Sequence, residues 1–392
     1  MTPAPTLDRA LLAERIRVRN EASTTFFTRE ADALAKVSSA MAQRFRQGGR
    51  LLAFGAPAVA SDAQHVAVEF VHPVLAGKRA LPALDLSAAY RELIPRLARA
   101  EDIVIGFTPP DGDPSVARTI RQVEARGALC LALPGATSHY SMTAASANAF
   151  VLQEIVEMLY HVLWETVHVF LEHDAIGSGS GAASFLYPFL GEASRGDDHL
   201  LPEVAASIRA KAACVAELRN HVAAQGDAIA AAVVAMHGRI VNGGTVLTFG
   251  NGGSATDATD LAFDLLQPPN GYPSVPAISL AADPATVTAI ANDVRVEAVF
   301  ARQLIAHAQP RDVAFAISTS GGSANIIAAL AEARRRGLLT IALAGYDGGD
   351  IARQHLADHV IVIGSDQIPR IQEVQATVYH VMVEMLAAAR QG

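Results

Sequence analysis

The stretch GGTVLTFGNGGSATDATDLAFDL, Gly243 to Leu265, decides the fold. A short apolar run, Val246–Phe249, ends in the glycine-rich turn Gly250 to Gly253, and a helical run follows from Ala255 to Leu266. A buried strand that stops at glycines and feeds a helix is the unit of a parallel sheet covered on both faces. Further apolar runs have the same punctuation: Ala277–Leu280, Val313–Ser318, Thr340–Ala344 and His359–Ile363. Helical patterns separate them, so the segment predicts an α/β fold.

The stretch is one of a pair. GGRLLAFGAPAVASDAQHVAVEF from Gly48 repeats it at an offset of 195 residues, and LQEIVEMLYHVLWETV from Leu152 repeats as IQEVQATVYHVMVEML from Ile371 at an offset of 219. The chain is a divergent duplication, with 24 extra residues between the two motifs of the second half. The first half supplies the strands Leu51–Phe54, Ala83–Leu86, Ile103–Phe107 and Cys130–Leu133. Helical entry regions precede each half, at about residues 7–46 and 203–241. The expected domains are residues 1–173 and 203–392. Residues 174–202, with GSGSG and SRGDD, form the linker, whose FLYPFL core is expected to dock on a domain surface.

Composition narrows the function classes. Of 392 residues, 51% are hydrophobic and 18% charged, enough apolar content for two large cores. The net charge of −8 carries no basic run, which argues against nucleic acid as a partner. Cys130 and Cys214 lack CxxC spacing, so no disulfide framework is expected, and a reducing, cytoplasmic setting fits. No signal-peptide h-region opens the chain. The most apolar helix candidate, Ile155 to Phe170, is broken by Glu157, His161, Glu165 and His168, which predicts a core helix and no membrane span.

An acidic chain has to hold an anion with local dipoles and donors. Gly250-Asn251-Gly252-Gly253-Ser254 opens a helix after a strand, so its backbone approaches a ligand closely and its amides point outward. Ser318-Thr319-Ser320-Gly321-Gly322-Ser323 does the same after a second strand and adds four hydroxyls. Two such turns in one sheet predict a phosphate site.

These motifs, with Ala291-Asn292-Asp293 and RIQEVQATVYH, resemble the sugar isomerase (SIS) domain of the phosphoheptose isomerase family. The resemblance covers nearly all of the second half and, more weakly, the first. It implies two flavodoxin-like SIS domains, each a parallel sheet sandwiched between helices, with no nucleotide cofactor. It also implies a phosphorylated sugar at the strand ends and interconversion of sedoheptulose 7-phosphate with a heptose 7-phosphate. Asn251, Gly252, Gly253, Ser254, Asp293, Ser318, Thr319, Ser320, Ser323 and Gln372 would bind substrate. The family assembles four domains; two chains of this duplicated protein would supply them, so a homodimer is expected.

Aldose–ketose isomerisation needs a base for the carbon-bound proton and an acid, or a metal, at the carbonyl oxygen. His65 and Glu69 lie four residues apart on one helix face, and Gln153 and His161 eight apart. They match the family's zinc-holding and catalytic His, Glu, Gln and His. By resemblance, Glu69 is the proton-abstracting base and His161 the acid or metal ligand. The competing reading makes them packed helix histidines and a solvated carboxylate. The second half has Asp260 and Asp264 at the first pair of positions and keeps Gln372 and His380, so Asp264 and His380 remain a catalytic pair while zinc there is disfavoured. Its Pro268 and Pro369 also replace family residues.

The first half has lost the opposite features. Gly55-Ala-Pro-Ala-Val59 lacks the later glycines and the serine, Pro109 and Pro110 remove donors from the second loop, and the Ala-Asn-Asp segment is missing. Two arrangements stand. In one, phosphate on the second half is served across the domains by His65, Glu69, Gln153 and His161. In the other, Asp264 and His380 work alone. A non-catalytic sugar-phosphate-binding regulator or partner scaffold is the alternative to an isomerase. A dinucleotide enzyme fits poorly, because GNGGS lacks the G-x-G-x-x-G spacing. The run His161, Glu165, His168 reads as polar breaks in a packed helix. Trp164, Phe185, Tyr187 and Phe189 read as packing groups, and Asp347 as a turn residue.

Overall fold

The computed structural model describes residues 9–73, 77–135, 139–176 and 199–391. The chain divides into two compact units. Glu21–Ala213 forms the N-terminal unit, and Met1–Asn20 with Cys214–Gly392 the C-terminal unit. The sequence segments follow the duplication, whereas the compact units divide the two entry helices, α1 (Arg9–Arg46) and α6 (Leu201–Ala223). Side-chain chemistry accounts for the division. Arg19 pairs with Glu384 at 3.2 Å, both side chains 1% exposed, within the C-terminal unit. Lys211 pairs with Glu165 at 2.5 Å, and Arg209 with Asp32 at 2.9 Å, within the N-terminal unit. Most of the expected linker, including Phe185, Tyr187 and Phe189, lies outside the described residues.

The N-terminal unit places β1 (Leu51–Gly55), β2 (Ala83–Asp85), β3 (Ile103–Phe107), β4 (Leu129–Leu133) and β5 (Tyr140–Ser141) in the order β2-β1-β3-β4-β5, all parallel. Helices α2 (Ala60–Val71), α3 (Tyr90–Leu97), α4 (Pro114–Glu124) and α5 (Ala149–Ile176) belong to it. The C-terminal unit repeats the order. Its strands β6 (Val246–Phe249), β7 (Ala277–Ser279), β8 (Val313–Ser318), β9 (Leu339–Gly345) and β10 (His359–Ile363) run β7-β6-β8-β9-β10, again all parallel. Its helices after α6 are α7 (Gly226–Val241), α8 (Gly253–Leu266), α9 (Pro284–Asp293), α10 (Val299–His307), α11 (Ala324–Arg335), α12 (Gly349–Arg353) and α13 (Ile368–Gln391).

Both sheets therefore have the flavodoxin-like order 2-1-3-4-5. The central strands are buried along their whole length, which is why they read as unbroken apolar runs. One core layer of the C-terminal unit packs Leu247, Phe249, Ala314 and Ala316 against Leu304, Ile326 and Leu330; its counterpart packs Leu52, Phe54 and Val104 against Ile94, Val116 and Ile120. In a 2-1-3-4-5 sheet, the order in which strands are added reverses between the first and third strands. The crevice at their carboxyl ends is where such folds bind ligands. In the C-terminal unit that crevice lies between the loops after β6 and β8.

α5 is a core helix, as expected: of the polar residues that break its apolar run, Glu157, His161 and His168 are buried and Glu165 is half-buried. Among the described residues, no helix is long and apolar enough to cross a membrane.

Candidate active site

Both glycine-rich loops stand at the switch point of the C-terminal sheet. Gly250 follows β6 where a Cβ would lie 2.2 Å from the Ser254 carbonyl oxygen, so no other residue fits. Gly252 caps α8 at φ +56 with no side-chain cap. Ser254 is buried in the first turn of α8. After β8, Ser323 caps α11, also without a side-chain hydrogen bond. Two helix entrances thus meet one crevice without a capping side chain, the arrangement that favours an anion.

The second loop has already committed some of its groups. Ser318 Oγ accepts from Gly321 N at 3.1 Å, and Ser320 Oγ accepts from Gly322 N at 3.2 Å. A hydroxyl that accepts one hydrogen bond still donates another, so Ser318 and Ser320 remain donors for a phosphate oxygen. Ser320 is exposed, and Thr319 and Ser323 are half-buried. Asn251 and Asn325 join the loops by reciprocal amide hydrogen bonds of 2.9 and 2.8 Å. Gln375, on α13, donates to the Ser318 carbonyl at 3.3 Å, three residues from the buried Gln372. Asp293 ends α9, exposed, and accepts from Asn292 Nδ2 at 2.7 Å. Asp347 makes the expected turn, accepting from Gly349 N at 2.9 Å.

Of the corresponding entrances in the N-terminal unit, that of α4 is closed, whereas α2 also lacks a side-chain cap. Asp113 caps α4 by accepting from Ser115 N at 2.7 Å and Val116 N at 3.0 Å. The Ser115 hydroxyl bond, then the Val116 amide, hold its carboxyl below the usual range. Thr108 spends its hydroxyl on the Pro134 carbonyl at 2.8 Å, and Gly55 N donates to Ser87 Oγ at 3.1 Å. A fixed carboxylate at a helix entrance repels an anion.

The acid–base residues form one buried cluster in each unit. In the N-terminal unit His65 Nε2 lies 3.4 Å from His161 Nε2 and 3.8 Å from Glu69 Oε1, all three buried. The Tyr160 hydroxyl sits 2.9 Å from His65 Nδ1 and turns Nε2 toward the cluster. Gln153 is half-buried eight residues earlier on α5, about 12 Å along the axis. In the C-terminal unit His380 Nε2 is 3.3 Å from Asp264 Oδ2, and the Tyr379 hydroxyl donates to Asp260 Oδ2 at 2.9 Å. Tyr160 and Tyr379 occupy matching repeat positions, a signal present in the recurring Tyr-His pair. Burial, then the Asp260 charge, push Asp264 up to about 7, against the opposing pull of His380.

The N-terminal cluster suits zinc. Two imidazole nitrogens bound at about 2.0–2.1 Å in a tetrahedron stand roughly 3.3–3.4 Å apart, the separation seen between His65 and His161. Asp260, Asp264 and His380 also converge within 4.8 Å, with two carboxylates and one imidazole as a harder donor set. His168 belongs to neither cluster, since its ring nitrogens face the Trp164 and Arg79 carbonyls at 2.8 and 3.0 Å. Neither Cys130 nor Cys214 is in a disulfide, and burial pushes both thiols up.

The chain is similar to known proteins. The family described as SIS domain matches residues 212–345. The phosphoheptose isomerase of Solidesulfovibrio magneticus is 40% identical over 166 residues, 41% of this chain and 78% of that one. That of Halorhodospira halophila is 39% identical over 185 residues, 46% and 88% of the respective chains. The chain belongs to the phosphoheptose isomerase family. Beyond the family, the fold matches the C-terminal domain of glucosamine-fructose-6-phosphate aminotransferase from Francisella tularensis, with a TM-score of 0.61 at 9% identity over 97% of this chain and 96% of that one. It also matches tagatose-6-phosphate ketose/aldose isomerase from Escherichia coli, with a TM-score of 0.54 at 14% identity over 97% and 93%. At these identities the likeness concerns fold alone, and that fold is the SIS architecture of phosphosugar isomerases.

Proposed function

We propose that the protein is a sugar-phosphate aldose–ketose isomerase working through an enediol, with sedoheptulose 7-phosphate as the expected ketose. The observation that carries this reading is the pair of uncapped helix entrances at the β6/β8 switch point, within a chain of the phosphoheptose isomerase family. Phosphate is held by the amides of α8 and α11 and by the hydroxyls of Ser254, Ser318, Thr319, Ser320 and Ser323. Ten residues separate Ser254 from Asp264 along α8, about 15 Å, a span that suits a long open-chain sugar phosphate.

Asp264 is the base in this reading. It takes the proton from C1 of the ketose while the C2 carbonyl oxygen gains one from His380, giving the 1,2-enediol. Return of the carbon-bound proton to C2 and loss of the O1 proton give the aldose. A base poised near neutral pH suits the task, and Asp264 is pushed up to about 7. Zinc held by His65, Glu69 and His161, with Gln153 by family resemblance, would polarise a carbonyl. Glu69 and His161 are the competing proton-transfer pair, serving the phosphate loops across the domains as the complementary losses in the two halves suggest. A cytoplasmic homodimer completes the proposal.

Solvent deuterium incorporation into sedoheptulose 7-phosphate tests it. The wild type is expected to exchange, and Asp264→Asn to lose exchange by at least about 100-fold. Loss in Glu69→Gln with retention in Asp264→Asn would move the chemistry to the N-terminal cluster. Binding without exchange in the wild type would make the protein a sugar-phosphate-binding regulator.

A further inference from the structure

The N-terminal unit contains a cavity of about 630 Å³ at the carboxyl ends of β1 and β2, lined in part by Gln64, Asp85, Ser87, Tyr90, Arg91 and Glu92. None of these residues takes part in the phosphate loops or proton-transfer pairs described above.

The cavity arises where the two repeat copies differ. Gln64 matches Thr259 through the 195-residue offset. Strand register makes Asp85 the counterpart of Ser279, because Asp85 pairs with Ala53 of β1 and Ser279 with Thr248 of β6. In the C-terminal copy Thr259 Oγ1 and Ser279 Oγ bond each other at 3.0 Å, two short hydroxyls closed on one another. In the N-terminal copy the same positions carry the longer Gln64 and Asp85, which line open space. After β7 the chain builds both α9 and α10, whereas after β2 only a short turn and α3 lead to β3.

The lining chemistry selects against phosphate. Ser87 Oγ occupies the Gly55 amide, the donor that would open a cradle at the end of β1. Asp85 accepts from Ser87 N at 3.0 Å and Ser87 Oγ at 2.5 Å, which fixes its carboxyl group at the mouth. Arg91 is the one cation among the six lining residues named, and it is engaged with Tyr90 Oη at 3.4 Å and Ser115 Oγ at 3.2 Å. Two carboxyl groups against one engaged guanidinium disfavour an anion. An amide, two carboxyl groups and an aromatic ring together supply donors, acceptors and an apolar face for vicinal hydroxyls. The volume lies within the roughly 300–1,000 Å³ of small-molecule sites.

We propose that this cavity binds an unphosphorylated sugar or related polyol, a second ligand site separate from the phosphate loops. Saturation-transfer NMR on the full chain, with sedoheptulose as the probe, tests it. Transfer to sedoheptulose is expected in the wild type, undiminished by excess inorganic phosphate. It should fall at least about tenfold in Gln64→Thr/Asp85→Ser, which writes the C-terminal residues into the N-terminal copy, and in Ala88→Trp, which fills the cavity from an exposed lining position. Far-ultraviolet circular dichroism checks that both variants are folded. Absence of transfer in the wild type, its displacement by inorganic phosphate, or its survival in both folded variants would overturn the proposal. The outcome is independent of proton exchange with the 7-phosphate, so the isomerase reading and this one fail separately.

Discussion

His380 Nε2 and Asp264 Oδ2 stand 3.3 Å apart in a site where Asp264 is raised to about 7 by burial and by Asp260. The ordinary value is 3.8, so folding favours the protonated carboxyl. That contribution is fully present below about pH 4 and is lost as pH rises through about 7. Asp264→Asn, which removes the titration, is therefore expected to be more stable than the wild type at pH 8 by roughly 2–4 kcal/mol. The gain should vanish near pH 4. Denaturant unfolding at the two pH values measures it, and a gap that does not change with pH would count against the assignment.

Gly321 holds the second phosphate loop against the turn after β9. Its φ is +60, a Cβ would lie 2.2 Å from the Gly348 carbonyl oxygen, and its own carbonyl accepts from Ile351 N at 3.0 Å. Gly321→Ala is expected to cost roughly 2–4 kcal/mol and to weaken sugar-phosphate binding more than tenfold. Gly322→Ala is the control. The nearest atom to its Cβ is 3.9 Å away, so its stability should stay within about 0.5 kcal/mol of wild type. Calorimetric titration and thermal unfolding of the pair make the comparison.

The strands and the switch-point loops were legible because burial on both sheet faces leaves an unbroken apolar run, and because the turns need glycine. Val246–Phe249, Val313–Ser318, His359–Ile363 and Ile103–Phe107 have the boundaries expected from sequence. β5 was not legible, since two residues in a polar segment carry no period. The Asn251–Asn325 bridge, 74 residues apart in sequence, and the Gln375 contact to Ser318 depend on tertiary placement that no local pattern encodes. Tyr160 and Tyr379 stand in the recurring Tyr-His pair, but a buried tyrosine declares its hydroxyl partner only once the fold is known. The entry helices hid their division between units for the same reason: Arg19 finds Glu384 at a distance of 365 residues along the chain.

Tyr160 orients His65 through a 2.9 Å contact to Nδ1, leaving Nε2 to face His161. If that contact fixes the tautomer for a metal, Tyr160→Phe should weaken zinc binding by about 10–100-fold while leaving the fold intact. His65→Ala should remove binding at this cluster. Competition with a chromophoric chelator gives the affinities. Equal zinc affinity in wild type and Tyr160→Phe would show that the tyrosine only packs.

Arg19 and Glu384 are both 1% exposed and 3.2 Å apart, and Arg15 approaches the same carboxylate at 3.6 Å. Removing one member of a buried pair strands the other charge away from water. Arg19→Ala is expected to destabilise the C-terminal unit by about 3–5 kcal/mol. Replacing both partners with apolar groups of similar volume, Arg19→Met with Glu384→Leu, should restore most of that loss, because neither charge is then left buried. Urea unfolding of the wild type, the single variant and the double variant decides between an ion pair that stabilises outright and one whose importance lies in the cost of breaking it. A double variant as unstable as Arg19→Ala would favour the first.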